Sequence, residues 1–527
     1  MNRIDDIKPL KDELPSSFAD RLGVRYSSQA SEMHKKGNGQ YFTPVEIARF
    51  MASMSKCRTA KVNILDPGCG TGVLACALTE ELINANTALS EIELVAYETD
   101  ENLVPLARKS LSYQKRWLKK LGVKLEFTLL VSDFVLANLD TLENQLRAPT
   151  RFDLVISNPP YFKLPKSDSR VKAANSVVHG QPNIYSIFLY TAATLLEPVG
   201  QLIFITPRSF ASGFYFRLFR DKFFSLVQLD NVHLFDSRKA TFQRDEVLQE
   251  NVIISAIRKQ SNGDQPRVTV SFSHGLKDLQ QRQTREFNLH ELLDTKSHQK
   301  ILHLPSSDDE TRVIRLFKSW AGSLNAYNIE ISTGPVVSFR AKKFIHSQVR
   351  SGLSFAPLYW LHNTSKMRLV WPVNKHEKGE YIQVCEESLS LLVPNKNYVF
   401  LRRFSSKDDT NRLIATPYFA DTAQSNLIGI ENHLNYIYRP GGHLDRNEIL
   451  GLAALLNSSL FDTYFRTFNG NVNVSATELR EMPMPPLGRI KQIGNEIIMR
   501  NDFSQTGVND ITEQFFELEQ ELAPAYE

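Results

Sequence analysis

A turn with three glycines at alternate positions is the first segment of this chain that could perform chemistry. Gly68, Gly70 and Gly72 follow an apolar run that ends at Asp66, and they precede a stretch with helical spacing. Glycines between a strand and a helix can adopt positive φ angles and let the backbone approach a ligand closely. The pattern alone is compatible with NAD, FAD or S-adenosylmethionine (SAM), and also with a tight turn that binds nothing.

Acidic and aromatic residues that follow the next two apolar runs narrow this choice. Glu98 has the two oxygens needed to accept both hydroxyls of a ribose, and Asp133-Phe134 offers an acid for an adenine amine and a ring for the adenine face. A dinucleotide site would place its ribose-binding acid about 20 residues after the glycines, whereas Glu98 lies farther downstream. The pattern therefore favours SAM.

The second such segment is Asn158-Pro159-Pro160-Tyr161, directly after an apolar run that ends at Ser157. We expect it at the carboxyl edge of a sheet, where doubly wound folds bind ligands. Because prolines have no N–H, the turn presents mainly acceptors. The Asn158 oxygen and the Pro159 carbonyl could take both protons of a planar exocyclic amine, while Tyr161 could stack on the ring that carries it. Asn-Pro-Pro is also an ordinary turn sequence, but its position after the glycine turn favours amine chemistry.

The elements that must hold these motifs alternate between short apolar runs and amphipathic stretches over residues 61–259. This alternation is typical of a doubly wound α/β sheet. Only a polar segment separates the last two runs, so we expect them to form an antiparallel pair at one edge, as in a class I methyltransferase sheet. The predicted strands are Val62–Asp66, Glu93–Glu98, Leu125–Val131, Asp153–Ser157, Gln201–Thr206, Leu226–His233 and Val252–Ile257.

Composition excludes several classes of protein. The formal net charge is only +4, so nucleic-acid binding would depend on a local concentration of basic residues. The four cysteines have no metal-ligand spacing and are too few for a disulfide scaffold, so we expect no metal site. Acids near the N-terminus and the lack of an apolar run of about 18 residues argue against export and membrane insertion. We expect a cytoplasmic protein.

Taken together, the motifs resemble those of the adenine-N6 DNA methyltransferases of restriction-modification systems, in the gamma order with the SAM motif first and the target-recognition region last. The resemblance covers about residues 37–260 and includes Gly39-Gln40-Tyr41-Phe42-Thr43-Pro44, which is similar to the segment that closes over the methionine part of SAM. It implies SAM as cofactor and catalysis by Asn158, Pro159, Pro160 and Tyr161. The cofactor-binding residues that it implies are Tyr41, Thr43, Pro44, Asp66, Gly68, Gly70, Gly72, Glu98, Asp133, Phe134 and Asn158.

The same resemblance implies a Rossmann-like class I SAM-dependent methyltransferase sheet followed by an α+β target-recognition domain. A polar breaker cluster after Lys259 suggests the boundary. The predicted domains are an N-terminal extension at 1–36, a catalytic domain at 37–260, a DNA-binding target-recognition domain at 261–490 and a helical tail at 491–527.

A second aromatic residue is expected against a base that is extruded from the DNA stack. The segment Lys239–Arg244 resembles the place where the family carries this ring, and Phe242 is the candidate, with Phe235 as its rival. Either ring could instead belong to the core.

Residues 340–412 contain 13 Lys and Arg against 6 Asp and Glu, interleaved with aromatic residues. This mixture is expected of phosphate contacts around a base-reading surface, although a solvated basic face would also have it. The later segment Gly470–Leu479 resembles the end of a target-recognition domain. The predicted DNA-binding residues are Arg340, Lys342, Lys343, Arg368, Arg402, Arg403, Asn471 and Asn473.

Three other functions fit parts of this pattern. An N4-cytosine DNA methyltransferase uses similar acceptors but usually has Ser or Asp where Asn158 stands. A protein or RNA methyltransferase shares the Asn-Pro-Pro-Tyr turn, and a DNA-binding subunit with a degenerate fold would bind no SAM. We expect double-stranded DNA as the partner. Because the chain has no Glu-x-Lys triplet, a cognate restriction endonuclease, if one exists, should be a separate chain.

Overall fold

The computed structural model describes residues 7–29, 42–143, 152–180, 182–235, 251–260, 267–294, 299–374, 378–405, 409–469 and 473–522. The chain divides into two compact units between Ser306 and Ser307. Within the described ranges, no helix combines the length and the apolar character required to cross a membrane.

A nine-stranded sheet lies at the centre of the first unit, with the strand order β3-β2-β1-β4-β5-β7-β6-β8-β9. Strands β1 to β5 are parallel to one another, and β7 is antiparallel to both β5 and β6. The predicted α/β class and the reversed hairpin are therefore confirmed. The strands are β1 Lys61–Asp66, β2 Glu91–Tyr97, β3 Lys124–Leu130, β4 Phe152–Ser157, β5 Leu196–Pro207, β6 Val227–Phe235, β7 Asn251–Arg258, β8 Arg267–Ser273 and β9 Gln283–Asn288.

The end of the first unit differs from the prediction. The hairpin is not at the edge of the sheet, because β8 pairs in parallel with β6 and β9 pairs with β8. The unit consequently continues to Ser306 rather than ending at residue 260. Val268 and Val270 of β8 are fully buried, and this burial ties the segment after the breaker cluster to the catalytic core.

Helices cover both faces of this sheet. Helix α1 packs on the helices after β1 and β2 through Phe18 and Leu22, so residues that were predicted as an N-terminal extension belong to the first unit. The helices are α1 Pro15–Ser27, α2 Val45–Ala52, α3 Val73–Ala85, α4 Val104–Lys120, α5 Leu139–Glu143, α6 Ser169–Ala173, α7 Ile184–Thr194, α8 Arg217–Leu226 and α9 Leu289–Leu292.

The second unit contains three small sheets and six helices in its described residues. A four-stranded sheet has the order β10-β20-β17-β18, a five-stranded sheet has the order β11-β15-β12-β19-β16, and β13 pairs with β14. The strands are β10 Glu330–Thr333, β11 Ile345–His346, β12 Phe355–Tyr359, β13 Thr364–Ser365, β14 Arg368–Leu369, β15 Tyr381–Gln383, β16 Leu392–Pro394, β17 Tyr398–Arg402, β18 Ala415–Tyr418, β19 Leu427–Ile430 and β20 Leu434–Tyr438. The helices are α10 Asp308–Ser319, α11 Arg446–Asn457, α12 Ser459–Phe468, α13 Ala476–Arg480, α14 Leu487–Arg500 and α15 Gln505–Leu522.

Candidate active site

The glycine turn connects β1 to α3 at the carboxyl edge of the sheet. Gly70 has a φ of +54° and Gly72 a φ of +85°, values at which a side chain is strained. A Cβ at Gly72 would also lie 3.1 Å from Ser110 Oγ. The turn therefore depends on glycine at both positions, and the expected positive φ angles are present there, while the close approach to a ligand stays a prediction.

The Glu98 carboxylate joins the end of β2 to this turn. Its Oε2 accepts from the Gly70 N–H at 2.9 Å, and its Oε1 accepts from the N–H groups of Thr99 and Asp100 at 2.8 Å each. Burial raises the pKa of Glu98, and these three N–H groups oppose the rise. Each carboxylate oxygen has further acceptor capacity, and Glu98 lines the cavity beside the turn.

Asp66, the last residue of β1, lies beneath the turn and is fully buried. Neither of its carboxyl oxygens has a hydrogen-bond partner within the described part of the chain. Burial, with a smaller contribution from the charge of Glu98, raises the pKa of Asp66 to about 8. An unpaired acid in this position suits a ligand that brings positive charge.

Asp133 lies at the same edge, after β3, and is held by a residue that the sequence analysis did not identify. Its Oδ2 accepts from Arg170 Nη1 at 3.0 Å and its Oδ1 accepts from the Leu136 N–H at 2.9 Å. Phe134 is 1% exposed, and its ring centroid lies 5.2 Å from that of Phe188. Arg170 follows Asp133 by 37 residues. At this separation, no spacing pattern in the sequence could indicate the contact.

The Asn158 carboxamide is fixed at both ends. Its Nδ2 donates to Thr43 Oγ1 at 3.1 Å, and its Oδ1 accepts from the Tyr161 hydroxyl at 2.5 Å. The same hydroxyl lies 3.0 Å from the Ile205 carbonyl oxygen on β5. Because a carbonyl oxygen has two lone pairs, Asn158 Oδ1 can accept a second proton.

Tyr161 itself is 9% exposed, and its ring meets Tyr185 edge-on at 6.1 Å. The structure thus shows the hydroxyl contacts of Tyr161 rather than an open ring face. Pro159 is buried, and Pro160 lines the cavity together with Asn158.

Helix α1 reaches the site through side chains that the sequence analysis did not identify. The Tyr26 hydroxyl donates to Asp100 Oδ2 at 2.8 Å, and Thr71 Oγ1 donates to the Ala19 carbonyl at 2.9 Å. Phe42 packs against Tyr26, with 5.8 Å between ring centroids. The helix therefore braces both the glycine turn and the loop after β2.

These residues surround a cavity of about 460 Å³. Asp66, Gly72, Pro44, Pro159 and Tyr161 are not among its lining residues, and Tyr41 lies outside the described residues. The lining includes the predicted residues Thr43, Gly68, Gly70, Glu98, Asp133, Phe134, Asn158 and Pro160, and also Phe42, Thr71, Phe162, Arg170 and Phe188.

Comparison with known proteins identifies the family. The Eco57I restriction-modification methylase family matches residues 44–242. The Type II methyltransferase M.PstI of Providencia stuartii is 30% identical over 509 residues, which cover 96% of this chain and 99% of that protein. This chain belongs to the Type II restriction-modification methyltransferases.

Two further relatives extend the comparison. The Type II methyltransferase M.BsuBI of Bacillus subtilis is 30% identical to this methyltransferase over 470 residues, which cover 88% of this chain and 91% of that protein. The tRNA1(Val) (adenine(37)-N6)-methyltransferase of Aliivibrio fischeri (strain ATCC 700601 / ES114) is 26% identical over 180 residues, covering 34% of this chain and 66% of that protein.

The cofactor of the methyltransferase is SAM, and the cavity fits its chemistry. The acceptors on Glu98, which lines the cavity, suit the ribose hydroxyls of SAM, whereas Asp66 is fully buried at the end of β1 and does not line the cavity. Asp133 and Phe134, which follow β3, also line the cavity, and β3 lies two strands from β1 in the sheet. SAM supplies a methyl group on a positively charged sulfur.

The second aromatic ring of the methyltransferase was predicted at Phe242 or Phe235. Phe235, the last residue of β6, is 7% exposed and packs in the core with Ile205 and Ile253. Phe242 lies outside the described residues. Phe235 therefore has a core position, and the role of Phe242 stays a prediction.

The predicted DNA-binding residues of the second unit fall into two groups. Arg340, Lys342, Lys343 and Arg368 are exposed, and Lys343 Nζ lies 2.5 Å from Glu387 Oε2. Arg402 is half-buried and donates to the Thr364 carbonyl oxygen, and burial lowers the pKa of this guanidinium. Arg402 therefore contacts the backbone of another segment, whereas Lys343 pairs with an exposed side chain.

Arg403 and Asn473, which lie 70 positions apart, are brought together by the fold. The Arg403 carbonyl accepts from the Val474 N–H at 2.8 Å, and Phe404 forms an antiparallel bridge with Asn473. Asn473 is exposed, and Asn471 lies outside the described residues.

Proposed function

We propose that this methyltransferase transfers a methyl group from SAM to the exocyclic N6 of an adenine extruded from duplex DNA. The observation that carries the proposal is the Asn158 carboxamide, which is held by Thr43 and Tyr161 in the wall of the cofactor cavity. Methylases of restriction-modification systems act on DNA, and the family relationship supplies the class of substrate.

The chemistry follows from the conjugation of the adenine amine. Its lone pair is delocalised into the ring, so the nitrogen is a poor nucleophile until its protons are held out of the ring plane. In the proposed mechanism, the two N6 hydrogens are donated in hydrogen bonds to Asn158 Oδ1 and to the Pro159 carbonyl. The nitrogen then forms a bond to the methyl carbon as the carbon–sulfur bond breaks, the sulfur leaves as the neutral thioether of S-adenosylhomocysteine, and the methylated nitrogen loses one proton to water. Catalysis is positional and electrostatic.

Tyr161 has two separable parts in this proposal. Its hydroxyl contacts Asn158 Oδ1 and so orients the carboxamide, while its ring is the expected stacking partner of the base. Phe242 is the proposed second ring. Adenine is favoured over the N4 of cytosine because Asn158 occupies the position where N4-cytosine enzymes usually have Ser or Asp. The relative from Aliivibrio fischeri, which is named for adenine N6, supports the same choice.

The test is to methylate a duplex DNA library with the purified enzyme and to identify the modified nucleosides by mass spectrometry. We expect N6-methyladenine. N4-methylcytosine, or methyl transfer to RNA or protein in place of DNA, would contradict the proposal.

A second arm tests the role of Asn158. Asn158→Ala should lower turnover by about 10²–10³, the usual loss when one preorganised polar partner is removed, while the affinity for SAM stays near that of the wild type. Asn495→Ala, which changes an exposed asparagine on α14, is the matched control. Tyr161→Phe should lower turnover while base capture, followed with 2-aminopurine at the target position, is retained; Tyr161→Ala should lower both. Full turnover in a folded Asn158→Ala protein would contradict the proposed mechanism.

A further inference from the structure

Three segments of the second unit meet beside the end of β17. Arg403 and Phe404 directly follow β17, Glu431 to His433 form the turn between β19 and β20, and Asn473 precedes α13. The Arg403 N–H donates to the His433 carbonyl at 2.9 Å, and Arg403 Nη1 donates to the Asn432 carbonyl at 3.1 Å. Backbone hydrogen bonds thus fix the turn against the strand end.

Within this cluster, a buried carboxylate orients the His433 ring. Glu431 is 1% exposed; its Oε1 lies 2.6 Å from His433 Nδ1, and its Oε2 accepts from the His433 backbone N–H at 2.9 Å. Because a carboxylate only accepts, Nδ1 must carry a proton, and in the neutral ring Nε2 is an acceptor. In the described part of the chain, no group hydrogen bonds to Nε2.

The His433 ring also lies against an aromatic side chain and is exposed to solvent. The His433 side chain is 49% exposed. The Phe404 ring, itself 36% exposed, lies 5.0 Å from it between centroids, and the Arg403 guanidinium carbon lies 5.6 Å from the Phe404 centroid. The exposed Phe404 ring therefore lies close both to a histidine with a fixed tautomer and to the positive charge of Arg403, and the exposed Asn473 forms a backbone bridge with Phe404.

We propose that His433 is a specificity-determining residue, with Nε2 accepting a hydrogen bond from the exocyclic amino group of adenine or cytosine in the major groove of the recognition site. Adenine and cytosine are the bases that present an amino donor in that groove, whereas guanine and thymine present acceptors at the corresponding positions. Glu431 is the positioning residue, since it selects the tautomer. The inference rests on the proposed DNA methylation. A metal ion is a poor alternative occupant, because no cluster of three metal-binding side chains occurs among the described residues.

The experiment compares methylated positions in DNA from a host that expresses either the wild type or a variant, with a randomised duplex library methylated in vitro as a second substrate. His433→Phe keeps a planar ring against Phe404 but removes the acceptor. We expect it to lower discrimination about tenfold at one position of the recognition site, with other positions and the affinity for SAM unchanged. His443→Phe, at an exposed histidine outside the cluster, is the matched control and should leave the pattern unchanged.

Glu431→Gln tests whether Glu431 selects the tautomer of His433. The measurement is the base preference, which the loss of a merely structural contact would not change. The His433 backbone N–H is an obligate donor and should take the new amide oxygen. The amide NH₂ would then face Nδ1 and reverse the tautomer, so that Nε2 becomes a donor. We expect an altered base preference at the same position that His433→Phe relaxes, shifted toward guanine or thymine.

An active His433→Phe enzyme with the wild-type pattern, or with a loss spread evenly over all positions, would overturn the inference. A change confined to a different position in Glu431→Gln would overturn the role of Glu431. Failure of the proposed DNA methylation is a separate result, since in that case the wild type itself would methylate no position in DNA.

Discussion

Glu98 Oε2 accepts a hydrogen bond from the backbone N–H of Gly70 at 2.9 Å. One carboxylate, at the end of β2, therefore shapes the glycine turn after β1 and also presents acceptors to the cavity. Gly70 has a positive φ, and the ring of Phe42 would lie 3.6 Å from a Cβ placed there. The turn and the acid are therefore joined in one hydrogen-bonded unit in the wall of the cavity.

Glu98→Ala should weaken SAM binding by about 1.5–3 kcal/mol, the scale of a hydrogen bond to a charged group. It also leaves three backbone N–H groups without their acceptor, so the free energy of unfolding should fall as well. Gly70→Asp should abolish binding, because a side chain and a charge replace open backbone at a strained φ. Titration calorimetry with SAM and thermal unfolding measure the two effects. Unchanged SAM affinity in both folded variants would contradict the assignment.

The raised pKa of Asp66 predicts that the stability of the folded protein depends on pH. Its pKa is raised by burial to about 8 from an ordinary value of 3.8, so the folded protein binds a proton that the unfolded chain has lost. Its contribution to stability should therefore be fully present below about pH 4. It should be lost as pH rises toward 8, with a slope of at most about 1.4 kcal/mol per pH unit. Asp66→Asn should remove this slope in urea unfolding measured between pH 5 and 9.

Cofactor binding should depend on the same group. Positive charge on SAM favours the ionised carboxyl of Asp66, so binding should release a proton below about pH 8. Calorimetry in buffers of different ionisation enthalpy measures this release, which should be smaller in Asp66→Asn. Equal proton release in the two proteins would show that Asp66 does not respond to the cofactor.

Tyr26→Phe tests whether α1 supports the cofactor site. The change deletes only the hydroxyl that donates to the buried Asp100 at 2.8 Å, and Asp100 in turn donates its N–H to Glu98. Loss of one hydrogen bond to a carboxylate should cost about 1.5–3 kcal/mol of stability and weaken SAM binding with it. Tyr190→Phe, on the half-buried Tyr190 of α7, is the control. A Tyr26→Phe protein that matched this control in both measurements would show that α1 only covers the sheet.

Salt dependence should distinguish phosphate contacts from structural arginines. The exposed residues Arg340, Lys342 and Arg368 should each reduce the slope of log K against log salt by about 0.9 when changed to alanine. Arg402→Ala should mainly lower the stability of the second unit, because Arg402 donates to the Thr364 carbonyl. DNA binding from 50 to 200 mM salt gives the slopes. Identical slopes for the wild type and for a variant with all three of these residues changed to alanine would identify a solvated basic face.

Sequence spacing predicted the part of the site that lies at strand ends. The glycine turn, Glu98, Asp133 and Asn158 each follow an apolar run directly. Because the carboxyl ends of parallel strands meet at one edge of a sheet, local order along the chain was enough to bring them together. For the same reason, the seven strands and their reversed hairpin were predictable. The boundary at residue 260 was not, because a polar breaker cluster does not show whether the next strand joins the same sheet, as β8 does with β6.

Only the tertiary structure decided which side chains support these groups. Arg170 reaches Asp133 across 37 residues, Tyr26 reaches Asp100 across 74, and Glu431 orients a histidine that lies beside Phe404 and Asn473. Such contacts depend on the packing of distant segments, and one residue of a pair carries no periodic pattern that indicates the other. The motif residues at strand ends were thus determined by the sequence itself, whereas their partners were determined by the way the chain packs, because burial and hydrogen bonding act between segments that are remote in the sequence.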